Sequence, residues 1–593
     1  MEISFILGVI SIILIISIYL LLFPKKKSLK KNIFIAFGAC IFSIAVLVFP
    51  LLEYDNTYVK SFASFIYAMK CAGMGQDLSV LSKINLETTN GYLHFIVMNI
   101  LFLAAPILTA SFILAYLEKI VAHIKLALSK NRKLYVFSEI NDKSLLLCKK
   151  LQKEKSATII FSNVKEKTDI NVKGIKLNKK ITDITFNPKS DITFYMISQN
   201  EEQNLNETLE LIDKYKDRDK TKIYVINRNE ETPTLLDSMD KGKITVEIIN
   251  EKERAIFNLL DNKPLFLNAI DKTISILIVG CGNIGKEFLR DAVWCGMMPD
   301  FKLKILVVDN NADKIKENIN VEMPELLNNY DITFLNEDVK SAKAIKMIKS
   351  RHDINYILVS MDTDDKNIDA AIMLRRLFLR EFDREPVISL HVDNEYKQEQ
   401  ILSLSNEKGN KYNLNAFGSI TELYDYHNII DSELERLAIK VHLAYDPEDK
   451  DLKRYNLREY NKRSSRASAL HIKYKLYSIL GDKFTEDMKE NQKVFRSMYT
   501  PEIEKLLSRN EHDRWNAYMR SIGYVCASIK EVEKYYNKTK HHIHYLARMH
   551  PALVEYDKLD SVSKELSKIT SRNIDLKEND RMIIKKINES IDL

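Results

Sequence analysis

Six residues near the middle of the chain, Gly280-Cys281-Gly282-Asn283-Ile284-Gly285, have the types and spacing that hold a pyrophosphate. In such a turn the first glycine permits the bend, the second lets phosphate oxygens approach the backbone, and the third lets helix and strand pack closely. The phosphate then rests on N–H groups at the positive end of a helix. Asp309 ends the next apolar run, 304–309, at the place where a carboxylate reads ribose hydroxyls. Asp362, Asp365 and Asn367 follow a further apolar run, 356–360, and complete the candidate cofactor-binding set. The ligand expected is NAD(H) or another nucleotide, with a Rossmann unit that holds none as the alternative.

A second group lies near the C-terminus: Glu511, His512, Arg514 and Trp515, then Tyr524 after Gly523, then His550 and Pro551. Arginine pairs with phosphate, and tryptophan or tyrosine stacks on a base, so these residues can line a polar pocket with an aromatic wall. Equally, Trp515 can be core and Glu511 can pair with Arg514. His541, His542, His544 and His550 invite a zinc reading, but no cysteine or carboxylate pattern accompanies them, and no metal is expected. A third group, Cys71-Ala72-Gly73-Met74-Gly75, follows a short apolar stretch, 61–69, and is either a candidate pore loop or an ordinary external loop.

The elements that position these groups follow from hydropathy and charge. Segment 3–23 carries no charged residue, and about 20 apolar residues cross a hydrocarbon core. Pro24-Lys25-Lys26-Lys27 follows it instead of a small-residue cleavage site, which favours an anchor over a cleaved signal. Runs at 33–52 and 92–116 predict a second and a third span. Lysines at 25–31 and the basic residues from Lys119 to Lys133 put the N-terminus outside and everything after about residue 118 in the cytoplasm. The remainder is polar enough to be soluble, with 28% charged residues overall. A net charge of +7 is too small an excess to suggest a nucleic-acid duplex as partner. Six cysteines without a CxxC pair argue against a disulfide framework and fit a reducing cytoplasm.

Between the spans and the C-terminal region, strand-like and helix-like runs alternate twice. One series starts at Lys133, the other at Ile274, and the stretches 193–204 and 356–367 look like two copies of one unit. Two tandem Rossmann-like α/β halves are expected. The first has Ser138-Glu139-Ile140-Asn141 where the second has glycines, and its next strand ends at Ser162-Asn163 without an acid, so it is expected to be structural. From about Leu434 polar helices take over, with a charged stretch at 446–463 read as a linker or loop.

On Gly280 to Gly285, Asp309 and the Asp365-Lys366-Asn367 element, the region from about 130 to 430 resembles the TrkA-N or RCK (regulator of potassium conductance) family. That resemblance implies domains that bind NAD, related nucleotides or cations beneath a two-helix pore and assemble into a ring, here a homotetramer. The order of helix, short helix, glycine-bearing loop and helix is similar to that of potassium channels, although Cys71 and Met74 stand where threonine and tyrosine belong in the filter. The strings Glu511 to Trp515, Gly523-Tyr524 and His550 to Val554 resemble the RyR (ryanodine-receptor repeat) domain, with Tyr556 in place of a tryptophan. Bacterial members of that family imply sensing of a nucleotide, such as a cyclic nucleotide or oligonucleotide second messenger, in antiphage signalling.

The expected architecture is a membrane α-helical N-terminus of three spans with a candidate re-entrant pore loop (1–122), a first RCK/TrkA-N-like domain (123–265), a second, nucleotide-binding one (266–430), and a mainly α-helical RyR-like domain (431–593). The expected function is a ligand-gated ion channel, or channel-like effector, of the inner (plasma) membrane, with the lipid bilayer, ions and a nucleotide as partners and no catalytic residues. The alternatives are a membrane-anchored NAD-dependent enzyme, for which His391 and Asp393 are the proton-transfer candidates, and an effector that disrupts the membrane without selectivity.

Overall fold

The computed structural model describes residues 29–75, 77–128, 133–153, 157–164, 174–187, 189–228, 232–406, 412–429 and 432–589. The expected first span, 3–23, lies outside the described residues. The chain divides into two compact units, one formed by 1–140 with 154–194 and the other by 141–153 with 195–593.

In the first unit, helices Leu29–Val48, Thr57–Ala72 and Thr89–Leu128 pack through Cys40, Ile44, Leu47, Ala68, Met98, Leu101 and Ala105. Two of them are long and apolar enough to cross a membrane, over Ile33–Leu51 and Thr89–Ile113. Their outer faces are apolar too: Phe34, Phe42, Leu103 and Ile107 are exposed, as lipid-facing side chains are. The short middle helix begins on Asn56, whose side chain accepts from the Tyr58 and Val59 N–H groups. It runs further than the apolar stretch 61–69 suggests. Cys71 and Ala72 are its buried last residues, and Gly73, Met74 and Gly75 form its C-terminal cap, with Gly75 N–H donating to the Lys70 carbonyl at 2.9 Å. The same unit holds β1 (Lys133–Phe137), β2 (Ala157–Phe161) and β3 (Ile175–Lys176) in the order β3-β2-β1, parallel; in chain order β4 (Asp191–Met196) follows, and the division between the units falls within it.

The second unit pairs β5 (Thr221–Ile226) with β6 (Thr245–Ile249) in parallel, and carries a six-stranded parallel sheet. Its strands are β7 (Thr273–Val279), β8 (Lys302–Asp309), β9 (Ile332–Asn336), β10 (Tyr356–Val359), β11 (Val387–His391) and β12 (Leu414–Phe417), in the order β12-β11-β10-β7-β8-β9. Continuous burial along β7 and β10 reflects helices on both faces. The order reverses between β7 and β10, and such a switch point opens a crevice at the carboxyl ends of the strands.

Beyond β12 the same unit becomes helical: Glu433–Tyr445, Glu459–Leu480, Met488–Met498, Pro501–Ser521, Ile529–Thr539, Leu559–Thr570 and Leu576–Glu589, with a two-stranded parallel ladder β13 (Val525–Cys526) and β14 (Met549–His550). Ala438, Val441, Ile472, Leu476, Phe495, Leu507 and Ile584 form its core. The charged stretch 446–463 is not a linker. Asp449 accepts from the Arg454 and Tyr455 N–H groups, Arg454 forks onto Asp446, and residues from Glu459 onward already belong to the long helix. Charges arranged this way read as solvated in sequence, yet Asp446, Asp449, Arg454 and Glu459 are held by partners.

Candidate functional site

The glycine turn sits at the switch point, between the end of β7 and helix Asn283–Cys295. Its three glycines serve different ends. Gly280 has φ +81°, and a Cβ there would lie 2.7 Å from the Ser360 carbonyl oxygen. A Cβ on Gly285 would lie 2.2 Å from the Gly280 carbonyl oxygen, so only glycine lets helix and turn meet. Gly282 is different: a Cβ would meet nothing within 4 Å. The fold itself therefore requires Gly280 and Gly285 and leaves open space over Gly282, which caps the helix without any side-chain hydrogen bond. The helix N-terminus thus presents free N–H donors and its positive dipole end to a cleft of about 460 Å³.

Asp309 closes one side of that cleft. Its Oδ2 accepts from the Cys281 N–H at 2.8 Å and its Oδ1 from the Asn311 N–H at 2.8 Å, which fixes the carboxylate beside the turn with lone pairs left for ligand hydroxyls. The Cys281 thiol is buried, and burial together with the Asp309 charge pushes its pKa up to about 12, so it is an inert neighbour and not a nucleophile. Asn283 is exposed and Ile284 half-buried in the first helical turn. Lys314 and Lys366 bring positive charge to the rim, and Lys366 pairs with exposed Asp362 at 3.1 Å.

Two of the expected ligand residues have other work. Asn367 is 1% exposed; its Oδ1 accepts from the Met361 N–H at 2.6 Å, and its Nδ2 donates to the Met361 carbonyl at 3.4 Å and to the His391 carbonyl at 2.9 Å. Asn204 makes the matching bonds to the Ser198 N–H and carbonyl, so the repeated asparagine staples the strand end to the helix that follows in both copies. Asp365 points away from the cleft to Lys397, 2.7 Å distant. His391 and Asp393, 3.7 Å apart, are not among the residues lining the cleft.

The C-terminal group is closed. Glu511 and Arg514 are each 1% exposed; Glu511 accepts from Arg514 at 2.9 and 3.1 Å, from the Lys475 ammonium at 2.6 Å and from Ser468 Oγ at 2.8 Å. Burial opposes ionisation of Glu511, but Arg514 and Lys475 outweigh it and hold the carboxyl well below the usual range. His512 binds the Val554 carbonyl at 2.8 Å, and the Trp515 ring meets His550 edge-on with centroids 4.8 Å apart. His550 Nδ1 accepts from the Ala552 N–H at 3.1 Å beside buried Pro551. Gly523 (φ +84°) turns where a Cβ would lie 2.5 Å from the Glu322 carbonyl oxygen, and so seats buried Tyr524 and the helical module against the second sheet. Glu511, His512, Arg514, Trp515, Tyr524, His550 and Pro551 are not among the residues lining the cavities at Gly280, at Asn510 or at Arg254. These strings hold the module together.

Sequence reasoning missed the other side of the same helix. Asn510, Asp513, Asn516 and Arg520 line a cavity of about 520 Å³ with Met297, Met298, Phe301, Tyr330, Leu553 and Val554. Their spacing of three and four residues was the available signal. Among the described residues a single His and carboxylate group, His442 with Asp446 and Asp449, has metal-like spacing, and Arg454 and backbone N–H groups already occupy its carboxylates.

No family model matches the chain, and no curated protein matches it. Among solved structures, the GsuK channel is similar with 16% identity and a TM-score of 0.34, over 71% of this chain and 99% of that one. A mutant of the same channel is similar with 12% identity and a TM-score of 0.32, over 68% of this chain and 100% of that one.

Proposed function

We propose that the chain is a nucleotide-regulated membrane ion pathway, a channel or channel-like effector whose Gly280 cleft takes NAD(H) or a related nucleotide. One observation carries the nucleotide: of three glycines in the turn, the fold accounts for Gly280 and Gly285 and leaves Gly282 with empty space over an uncapped helix start. The equivalent helix of the first half, Asp142–Leu151, shows what a closed site looks like. There Asn141 accepts from the Ser144 N–H and Ser144 returns a bond to Asn141, so the helix start is filled by its own side chains.

The two long apolar helices supply the membrane part. A nucleotide acts on them only by binding one conformation of the α/β unit more tightly than another, and no bond in it need be broken. In this reading the chain works as a homotetramer, as the TrkA-N/RCK resemblance implies, in the plasma membrane with its N-terminus outside, as the basic residues flanking the spans imply, and the RyR resemblance is the ground for a role in antiphage signalling.

The test is thermal shift of the full chain in detergent with NAD, NADH, ATP and cyclic dinucleotides, followed by ion flux from liposomes with and without the nucleotide that binds. Stabilisation by a nucleotide that disappears in Gly282→Val, and flux that responds to it, are expected. Absence of a shift with all four overturns the nucleotide; flux indifferent to a bound nucleotide overturns the regulation.

A further inference from the structure

An arginine on the helix after β6 leaves its most selective edge unused. Helix Glu251–Asn262 carries Arg254, half-buried in the wall of a cavity of about 80 Å³ that Lys222 on β5, Glu247 on β6 and Glu435 also line. Arg254 Nη1 donates to the Asn428 carbonyl. Its Nε and Nη2 have no acceptor among the described residues, and neither is enclosed; both are open to solvent.

Nε and Nη2 form the edge of a guanidinium that takes a carboxylate through two parallel hydrogen bonds. Elsewhere in the chain that edge is filled: Arg454 turns it to Asp446, Arg228 to Glu251 and Arg514 to Glu511. The carboxylates around Arg254 are engaged with other cations. Glu435 pairs with Arg466 at 2.6 Å, Glu253 with Arg463 at 3.2 Å, and Glu247 with Lys462 at 3.0 Å and Arg466 at 3.5 Å. Burial lowers the Lys222 pKa, but Glu247 outweighs it and the net shift is upward. For Arg254, burial and the Arg466 charge prevail, and the net shift is downward. One cation in the wall is thus left without a matching charge.

The cavity also selects by size and charge. About 80 Å³ admits a few heavy atoms and excludes the nucleotide for which the cleft of about 460 Å³ at Gly280 has room. Glu247 and Glu435 in the same wall repel a second negative charge. Asn258, one turn beyond Arg254 on the same helix face, offers an amide with no hydrogen-bond partner among the described residues. Phe257 and Leu434 give an alkyl group an apolar surface.

We propose that this cavity binds a small monocarboxylate anion, its two oxygens on the Nε–Nη2 edge of Arg254 and the Lys222 ammonium and Asn258 amide beside it. Such an ion completes the pair that the chain leaves open. The site is separate from the Gly280 cleft and does not depend on a nucleotide.

Acetate tests it, with acetamide as a neutral analogue of the same size. Saturation-transfer NMR of the methyl signal, on the full chain in detergent at constant ionic strength, is expected to show saturable binding of acetate and none of acetamide. Formate should displace acetate at lower concentration than sulfate does. Arg254→Lys, which keeps the charge and removes the fork, is expected to weaken acetate about tenfold. Asn258→Asp sets a carboxylate four residues from Arg254 on the same face, and so should fill the site from within: acetate binding lost, and the thermal midpoint without acetate raised. This second variant decides the matter if the first does not fold. Absence of saturable acetate binding, equal binding of acetamide, readier displacement by sulfate, or undiminished acetate binding in either variant overturns the proposal.

Discussion

The Gly280 turn and the Glu511 cluster are the two places where the sequence concentrates polar chemistry, and the fold treats them in opposite ways. At Gly280 the donors of a helix start face open space, and the residue nearest that space lacks a side chain. At Glu511 a carboxylate, an arginine and a lysine face inward and pair with one another, and the Arg514 Nη1 left without a hydrogen-bond partner among the described residues is itself enclosed. A binding site and a structural network can use the same residue types. What separates them is whether the polar groups left unmatched by the fold face open space or lie enclosed in the core.

The comparison breaks most sharply on pH. Burial pushes the His550 pKa down to about 3 from an ordinary value of 6.5, with His542 and His512 adding to the effect, and its Nδ1 serves as an acceptor that protonation would remove. The unfolded chain then binds more protons than the folded one between these values, so stability rises with pH across that window and is lost as pH falls from about 6.5 towards 3. The full shift corresponds to roughly 5 kcal/mol. His550→Gln should flatten the low-pH limb of a thermal denaturation series, and a limb equally steep in the variant would assign the loss to other groups.

Next in size is the closed network itself. Arg514→Ala leaves Glu511 buried with a single cationic partner, Lys475, and is expected to cost about 3–5 kcal/mol, read as a fall in thermal midpoint with or without nucleotide. Loss of nucleotide response at unchanged stability would instead make Arg514 a ligand contact. The glycines give the complementary result. Gly285→Ala, whose Cβ would collide with the Gly280 carbonyl, should cost about 1–3 kcal/mol of stability, while Gly282→Ala should cost far less. Equal losses in the two variants would erase the distinction between a fold glycine and a ligand glycine.

How far the sequence announces each site follows from the range of the forces involved. The Gly280 turn is legible because its constraints are local: a positive φ, a tight helix start and an acid at the end of the neighbouring strand all leave marks within 30 residues. The two tandem copies are legible for the same reason, down to Asn204 and Asn367, although their repetition marks a staple and not a ligand contact. Helix Pro501–Ser521 is polar nearly all round, and hydropathy does not say which side is core. Glu511 and Arg514 are buried because Ser468 and Lys475, more than 35 residues upstream, meet them. That leaves Asn510, Asp513 and Asn516 facing the cavity, an assignment set by tertiary packing alone.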